Sequence, residues 1–311
     1  MAARSTRSRT SSLGGDSVLP AEGYVTTDDG LRLWFQTVGS GQQVVVLPNG
    51  LHLLEDFSCL APGRTLVFYD VRNRGRSETV TDPALLQRGI HNDVDDLDAV
   101  RRHFGLDRLA LIGHSYMGLM VILYAMRYPA HVDRIVQIAP MGPHYGKSYP
   151  ADLTNTDPML RDIFAKLGEL QKERASYDPE AFCRKFWSIL RVLYVTDPKD
   201  ADRVRWDRCD LQNERNFMKY WTEEIIPSIQ SLSLSREALA PVTRAVLTLH
   251  GTKDRSAPYG GGRDWVSLLP NARLVQVRGA GHGPWIEAPE IVFGAIGQFL
   301  TLDHVPSAGE V

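Results

Sequence analysis

The chain has 311 residues, 43% of them hydrophobic and 23% charged, with a formal net charge of −2. That composition suits a globular protein of one large domain or two small ones, with a substantial buried core. It argues against nucleic acid as an obligatory partner, which would call for a basic surplus, and the longest apolar run, Gly118–Met126, is too short to span a bilayer.

Residues 1–20 are rich in Ser and Arg and contain no apolar stretch of the kind a secretory signal needs. They read as a disordered tail, since such a segment buries too little to offset its ordering entropy. The three cysteines, Cys59, Cys183 and Cys209, are odd in number and lack metal-ligand spacing. They point to a reducing, cytoplasmic setting rather than a disulfide framework.

The first elements are two strands, 23–27 and 31–38, joined by the turn residues Asp28-Asp29-Gly30. Short continuous apolar runs follow at 44–47, 65–69, 109–112 and 135–138, as expected of strands buried on both faces of a parallel sheet. A helix is expected around Ile90, Val94, Leu97, Arg101 and Phe104, with Asp93, Asp95, Asp96 and Asp98 outside its apolar face. Another, apolar nearly all round, covers 117–126. The alternation resumes late, with strands at 245–250 and 272–277 and helices near 263–269 and 290–300. Alternation of this kind predicts a mostly parallel sheet flanked by helices.

Residues 141–240 break the rhythm, with helical patterns at 157–173, 180–195, 199–208 and 212–230 and no strand. An insertion between strands lies over the carboxyl ends of the sheet, where ligands bind in open α/β folds. The expected organisation is therefore a core of 21–140 and 241–304, a helical lid of 141–240, and tails at 1–20 and 305–311.

The strongest chemical signal is Ala110-Leu111-Ile112-Gly113-His114-Ser115-Tyr116-Met117-Gly118, a strand running through a tight turn into a helix. Such a turn lifts a serine hydroxyl clear of the sheet and sets a helix N-terminus beneath developing negative charge. On these residues the chain resembles the α/β-hydrolases over about 24–302, in the branch of esterases and prolyl aminopeptidases with helical lids. The family pattern is G-x-S-x-G; Met117 stands at its second glycine and Gly118 comes one position late. The resemblance implies an eight-stranded, mostly parallel sheet and the order serine, acid, histidine.

Asp254 follows the strand 245–250, and His282 follows the strand 272–277. Together with Ser115 they make the expected triad, in which the imidazole takes the serine proton and the carboxylate fixes the imidazole. The backbone N–H groups of Tyr116 and of Leu51, in Pro48-Asn49-Gly50-Leu51-His52, are the expected oxyanion donors. Asp70–Ser77 resembles the family turn D-x-R-G-x-G-x-S, with Arg72 tying the loop down. His52, His91, His103, His131 and His304 read as solvated, His114 as structural, and His250 as a supporting group. Gly260-Gly261-Gly262 reads as a flexible helix entry.

Trp187, Phe217, Trp221, Glu214 and Trp285 are candidate substrate contacts. The expected activity is hydrolysis of a carboxylic ester or related acyl compound, a small-molecule substrate, with no cofactor, metal, nucleic acid or membrane partner. A serine at position 115 sets aside the dehalogenase and epoxide hydrolase branches, which attack with an aspartate. The alternatives are a prolyl aminopeptidase-like peptidase, whose substrate amine Glu214, Glu223 or Glu224 would hold, a carbon–carbon bond hydrolase or lyase on the same triad, and a non-catalytic ligand-binding protein.

Overall fold

The computed structural model describes residues 21–301, with Asn216 and Phe217 described by their backbone alone. The expected tails at 1–20 and 305–311, and His304, lie outside the described residues. The apolar runs become β1 (Glu22–Thr26), β2 (Arg32–Gly39), β3 (Gln43–Pro48), β4 (Arg64–Tyr69), β5 (Leu109–His114), β6 (Val132–Ile138), β7 (Val246–Gly251) and β8 (Ala272–Val277). They form one sheet in the order β1-β2-β4-β3-β5-β6-β7-β8. β2 is antiparallel to both β1 and β4, and every other pair is parallel.

Helices cover both faces. α1 (Gly50–Phe57) and α11 (Pro289–Thr301) pack on one, while α2 (Ile90–His103), α3 (Tyr116–Arg127) and α9 (Tyr259–Leu268) pack on the other. Each face has its own apolar core, centred on Leu53, Phe57 and Phe299 or on Leu97, Met120 and Trp265. β5, at the middle, is buried along its whole length. That explains its unbroken apolar sequence, because neither face meets water.

α2 departs from expectation. Asp93, Asp96 and Asp98 are buried rather than outside its packed face. Each has a partner: Tyr116 donates to Asp93, Arg72 makes two bonds to Asp96, and Arg101 and Tyr124 donate to Asp98. Arg72 also reaches Asp29 and the Leu85 carbonyl, so the turn after β4 is tied down.

Between β6 and β7 the described chain is helical: α4 (Met159–Lys172), α5 (Pro179–Leu190), α6 (Gln212–Tyr220), α7 (Ile226–Gln230) and α8 (Arg236–Leu239). The expected helix 199–208 is only a short 3-10 stretch, Pro198–Arg203, after which Val204 turns extended. Trp206 and Cys209 are buried beyond it, and Cys183–Cys209 form a disulfide with Cα atoms 5.8 Å apart. This corrects the reading of the cysteines as unpaired; a spacing of 26 residues across irregular chain carries no local signal. The helix expected at 212–230 is interrupted by a π-helical turn, Trp221–Ile225, in which the Ile226 N–H bonds the Trp221 carbonyl. Pro227 has no N–H for the carbonyl one turn back, so the ladder widens just before it.

The glycine run is not a flexible entry. It forms the buried first turn of α9, where a Cβ on Gly260 would lie 2.2 Å from Tyr149 and one on Gly262 2.4 Å from His250 Nδ1. The last short helix, α10 (Pro284–Glu287), precedes α11. Among the described residues no helix is long and apolar enough to cross a membrane.

Candidate active site

β5 ends at His114 and α3 begins at Tyr116, so one residue makes the whole turn. Ser115 does so at φ 55 and ψ −121, a strained conformation that persists only where its surroundings fix it. Its N–H donates to Ile138, and its carbonyl accepts from Gly118 and Met141. A Cβ on Gly113 would lie 2.3 Å from the Met117 carbonyl, and one on Gly118 2.9 Å from Pro140. The close approach to the next strand thus falls on Gly118, and Met117 lines the cavity beside Ser115. That accounts for the late glycine.

The loops after β7 and β8 bring the two partners over this turn. His282 Nε2 accepts from the Ser115 hydroxyl at 2.9 Å, and Nδ1–H donates to Asp254 Oδ2 at 2.8 Å. The carboxylate, an acceptor only, sets this tautomer. Asp254 Oδ2 also accepts from His250 Nε2 at 3.1 Å, while Oδ1 accepts from the N–H groups of Ser256 and Ala257 at 2.8 Å each. Burial alone would raise its pKa. The charge interaction with His282 and the bonds from both histidines outweigh burial and hold the carboxyl well below the usual range. His250 is therefore a fixed support beneath the acid, and its other ring nitrogen abuts Gly262.

The helical insertion grips the histidine loop. Gly283 N–H donates to the Tyr194 carbonyl at 2.7 Å, and the Tyr194 ring packs 4.9 Å from that of His282. His114 also packs against it, and its ring nitrogen bonds the His282 carbonyl. Burial drives the His114 pKa down, keeping it neutral beside the catalytic candidate.

Several expected contacts fall elsewhere. The Leu51 N–H is not open to a ligand, because it donates to Asp70 Oδ1 at 2.5 Å. Asp70, buried in the turn after β4, is held from its other oxygen by Arg76. Tyr116 opens α3, and first-turn N–H groups have no intrahelical acceptor, so its expected role keeps its structural basis. Trp285 packs behind His114 and donates to Asp56 at 2.7 Å, away from the cavity. Trp187 and Trp221 do line the cavity. The side chain of Phe217 lies outside the described residues.

Glu214 does not face a ligand either. It accepts two bonds from Arg74 at 2.9 and 3.1 Å and a third from the Gly75 N–H at 2.9 Å. His52, expected in solvent, is buried 3.6 Å from the same carboxylate and stacked on Trp206. Burial would raise the Glu214 pKa, but the Arg74 charge overrules it and keeps the carboxylate ionised well below its usual range.

Since the ionised form is the one the fold favours, the stabilisation is present above the unfolded pKa of 4.5 and fades as pH falls below it. Glu214→Gln is therefore expected to cost about 3 kcal/mol or more at pH 7, having left Arg74 buried without its counter-charge. Urea unfolding at pH 7 and pH 4 checks this: the gap to the unsubstituted protein should narrow in acid.

A cavity of 560 Å³ opens over Ser115, walled by Tyr194, Trp187, Trp206, Trp221, Met117 and Met141 among others. The cations on its wall already hold carboxylates: Arg74 binds Glu214, Lys147 binds Asp264, and Arg255 binds Asp157. Among the described residues no Asp or Glu lines it, and no group of three or more His, Cys, Asp or Glu could hold a metal. Sequence reasoning missed Tyr194 and Asn49 as wall residues. The first lies in no motif, and the second stood in the loop singled out only for the Leu51 N–H.

Residues 45–289 match a family model described as alpha/beta hydrolase fold. A bifunctional esterase/perhydrolase of Acinetobacter calcoaceticus is 28% identical over 281 residues, 86% of this chain and 96% of the relative. A proline iminopeptidase of Heyndrickxia coagulans is 22% identical over 291 residues, 90% of this chain and 98% of the relative. Among solved structures, an esterase from Exiguobacterium antarcticum superposes with a TM-score of 0.69 at 15% identity, covering 90% of this chain and 99% of the other.

Proposed function

The chain belongs to the α/β-hydrolase family, and from that premise we propose that it is a serine hydrolase cleaving a carboxylic ester or related acyl compound through an acyl-enzyme on Ser115. The observation that carries this reading is the unbroken line of hydrogen bonds from Ser115 through His282 to Asp254. In it, His282 Nε2 takes the hydroxyl proton as Oγ attacks the acyl carbon, and Asp254 stabilises the resulting imidazolium. The imidazolium then gives the proton to the leaving alkoxide. A water activated by the same nitrogen attacks the acyl-enzyme and frees the acid.

The insertion between β6 and β7 acts as a lid over this site. Its aromatic wall and its neutralised cations favour a neutral substrate with an apolar or aromatic group. An aminopeptidase would need a carboxylate on the wall for the substrate's free amine. Glu214 is bound by Arg74, and Glu223 and Glu224 do not line the cavity. The likeness to a proline iminopeptidase is therefore outweighed. With p-nitrophenyl esters of graded chain length beside proline-naphthylamide, ester cleavage with background amide turnover is the expected result. Preferential release of naphthylamine would reverse the assignment.

A further inference from the structure

We propose that the side-chain amide of Asn49 supplies the second hydrogen bond to the oxyanion, in the place the Leu51 N–H would take. This rests on the serine hydrolase reading above.

A tetrahedral intermediate on Ser115 needs a second donor besides the first N–H of α3. The backbone group expected for that work is taken. Leu51 N–H donates to Asp70 Oδ1, and Asp70 is only 1% exposed, with Arg76 holding its other oxygen. Freeing that N–H would leave a buried carboxylate short of a donor, which is unfavourable.

Asn49 stands directly before α1, in the left-handed region at φ 69 and ψ 47. Asparagine tolerates that region better than most residues, but it commonly earns the position before a helix by capping. Here it makes no side-chain cap. The residue is 9% exposed, its Oδ1 is buried with no hydrogen-bond partner, and it lines the same cavity as Ser115 and Tyr116. Because Oδ1 is buried out of reach of the cavity, the NH2 is the end of the carboxamide left to meet a group bound over Ser115, and it can only donate.

Two other polar side chains nearby are committed. Arg74 is engaged by Glu214, and the one unpartnered nitrogen of His52 sits 3.6 Å from that same carboxylate, which orients any proton on it. To the wall of the cavity that also holds Ser115, Asn49 adds a neutral, buried amide that makes no cap. Such a group contributes little in the empty site and becomes satisfied when an oxyanion forms, which is the differential interaction that accelerates a reaction.

The test uses Asn49→Gly, which keeps the left-handed backbone, and Asn49→Asp, which keeps shape while removing the donor. Ser115→Ala is run alongside, and melting curves confirm folding; if the glycine variant does not fold, the aspartate variant decides. Both variants should lose about 10²- to 10³-fold in kcat on a p-nitrophenyl ester, with KM nearly unchanged. The rate of Ser115 labelling by a fluorophosphonate should fall in parallel, because its phosphoryl oxygen needs the same donors. A folded variant keeping kcat and labelling rate within about threefold, or one whose loss lies wholly in KM, overturns the proposal. If Ser115→Ala itself still turns over at the native rate, the nucleophile is elsewhere and the proposal falls with the reading beneath it.

Discussion

Ser115→Ala is expected to lower kcat by about 10⁶-fold and to abolish labelling by a fluorophosphonate. The substitution removes only the oxygen that the imidazole of His282 holds at 2.9 Å. It should not disturb the fold, since alanine carries the same Cβ as serine and meets the same constraint at φ 55. The backbone bonds of residue 115 to Ile138, Gly118 and Met141 also remain. Loss of turnover without loss of melting temperature is therefore the signature of a missing nucleophile, whereas a misfolded variant would lose both. Mass spectrometry of the labelled protein locates the adduct, and an adduct on any other residue would remove Ser115 from the centre of the mechanism.

Glu214 and Ser115 divide what sequence can and cannot reveal. The turn at Ser115 was legible because its constraint is local: a strand, one residue, a helix, with glycine where Met117 crowds the backbone. The positions of Asp254 and His282 were legible because each follows a strand at its carboxyl end. Glu214 could be read only as one acid on an amphipathic helix. Its partner Arg74 lies 140 residues away, and the pairing appears once the insertion folds back over the sheet. The same holds for the Leu51 N–H, whose acceptor sits on the neighbouring strand's exit loop, and for Trp285, which turns toward Asp56. Periodicity reports which face a residue occupies and says nothing of which polar group waits there.

Asp254→Asn is expected to reduce kcat by about 10⁴-fold while leaving the fold close to native. Four donors converge on this carboxylate: the N–H groups of Ser256 and Ala257 at one oxygen, and His282 Nδ1 and His250 Nε2 at the other. An asparagine can keep its oxygen toward the two backbone donors, so the loop stays. Its NH2 must then face two ring nitrogens, and it can donate to His282 only if that ring carries its proton on Nε2. A protonated Nε2 cannot accept the Ser115 hydroxyl proton. Turnover should therefore collapse at neutral pH and recover partly in alkali, where the serine proton can leave to solvent, and a pH–rate profile of the variant reads this directly. Near-native activity at pH 7 would mean that some other carboxylate orients His282, a role for which no second Asp or Glu among the described residues lies in bonding distance.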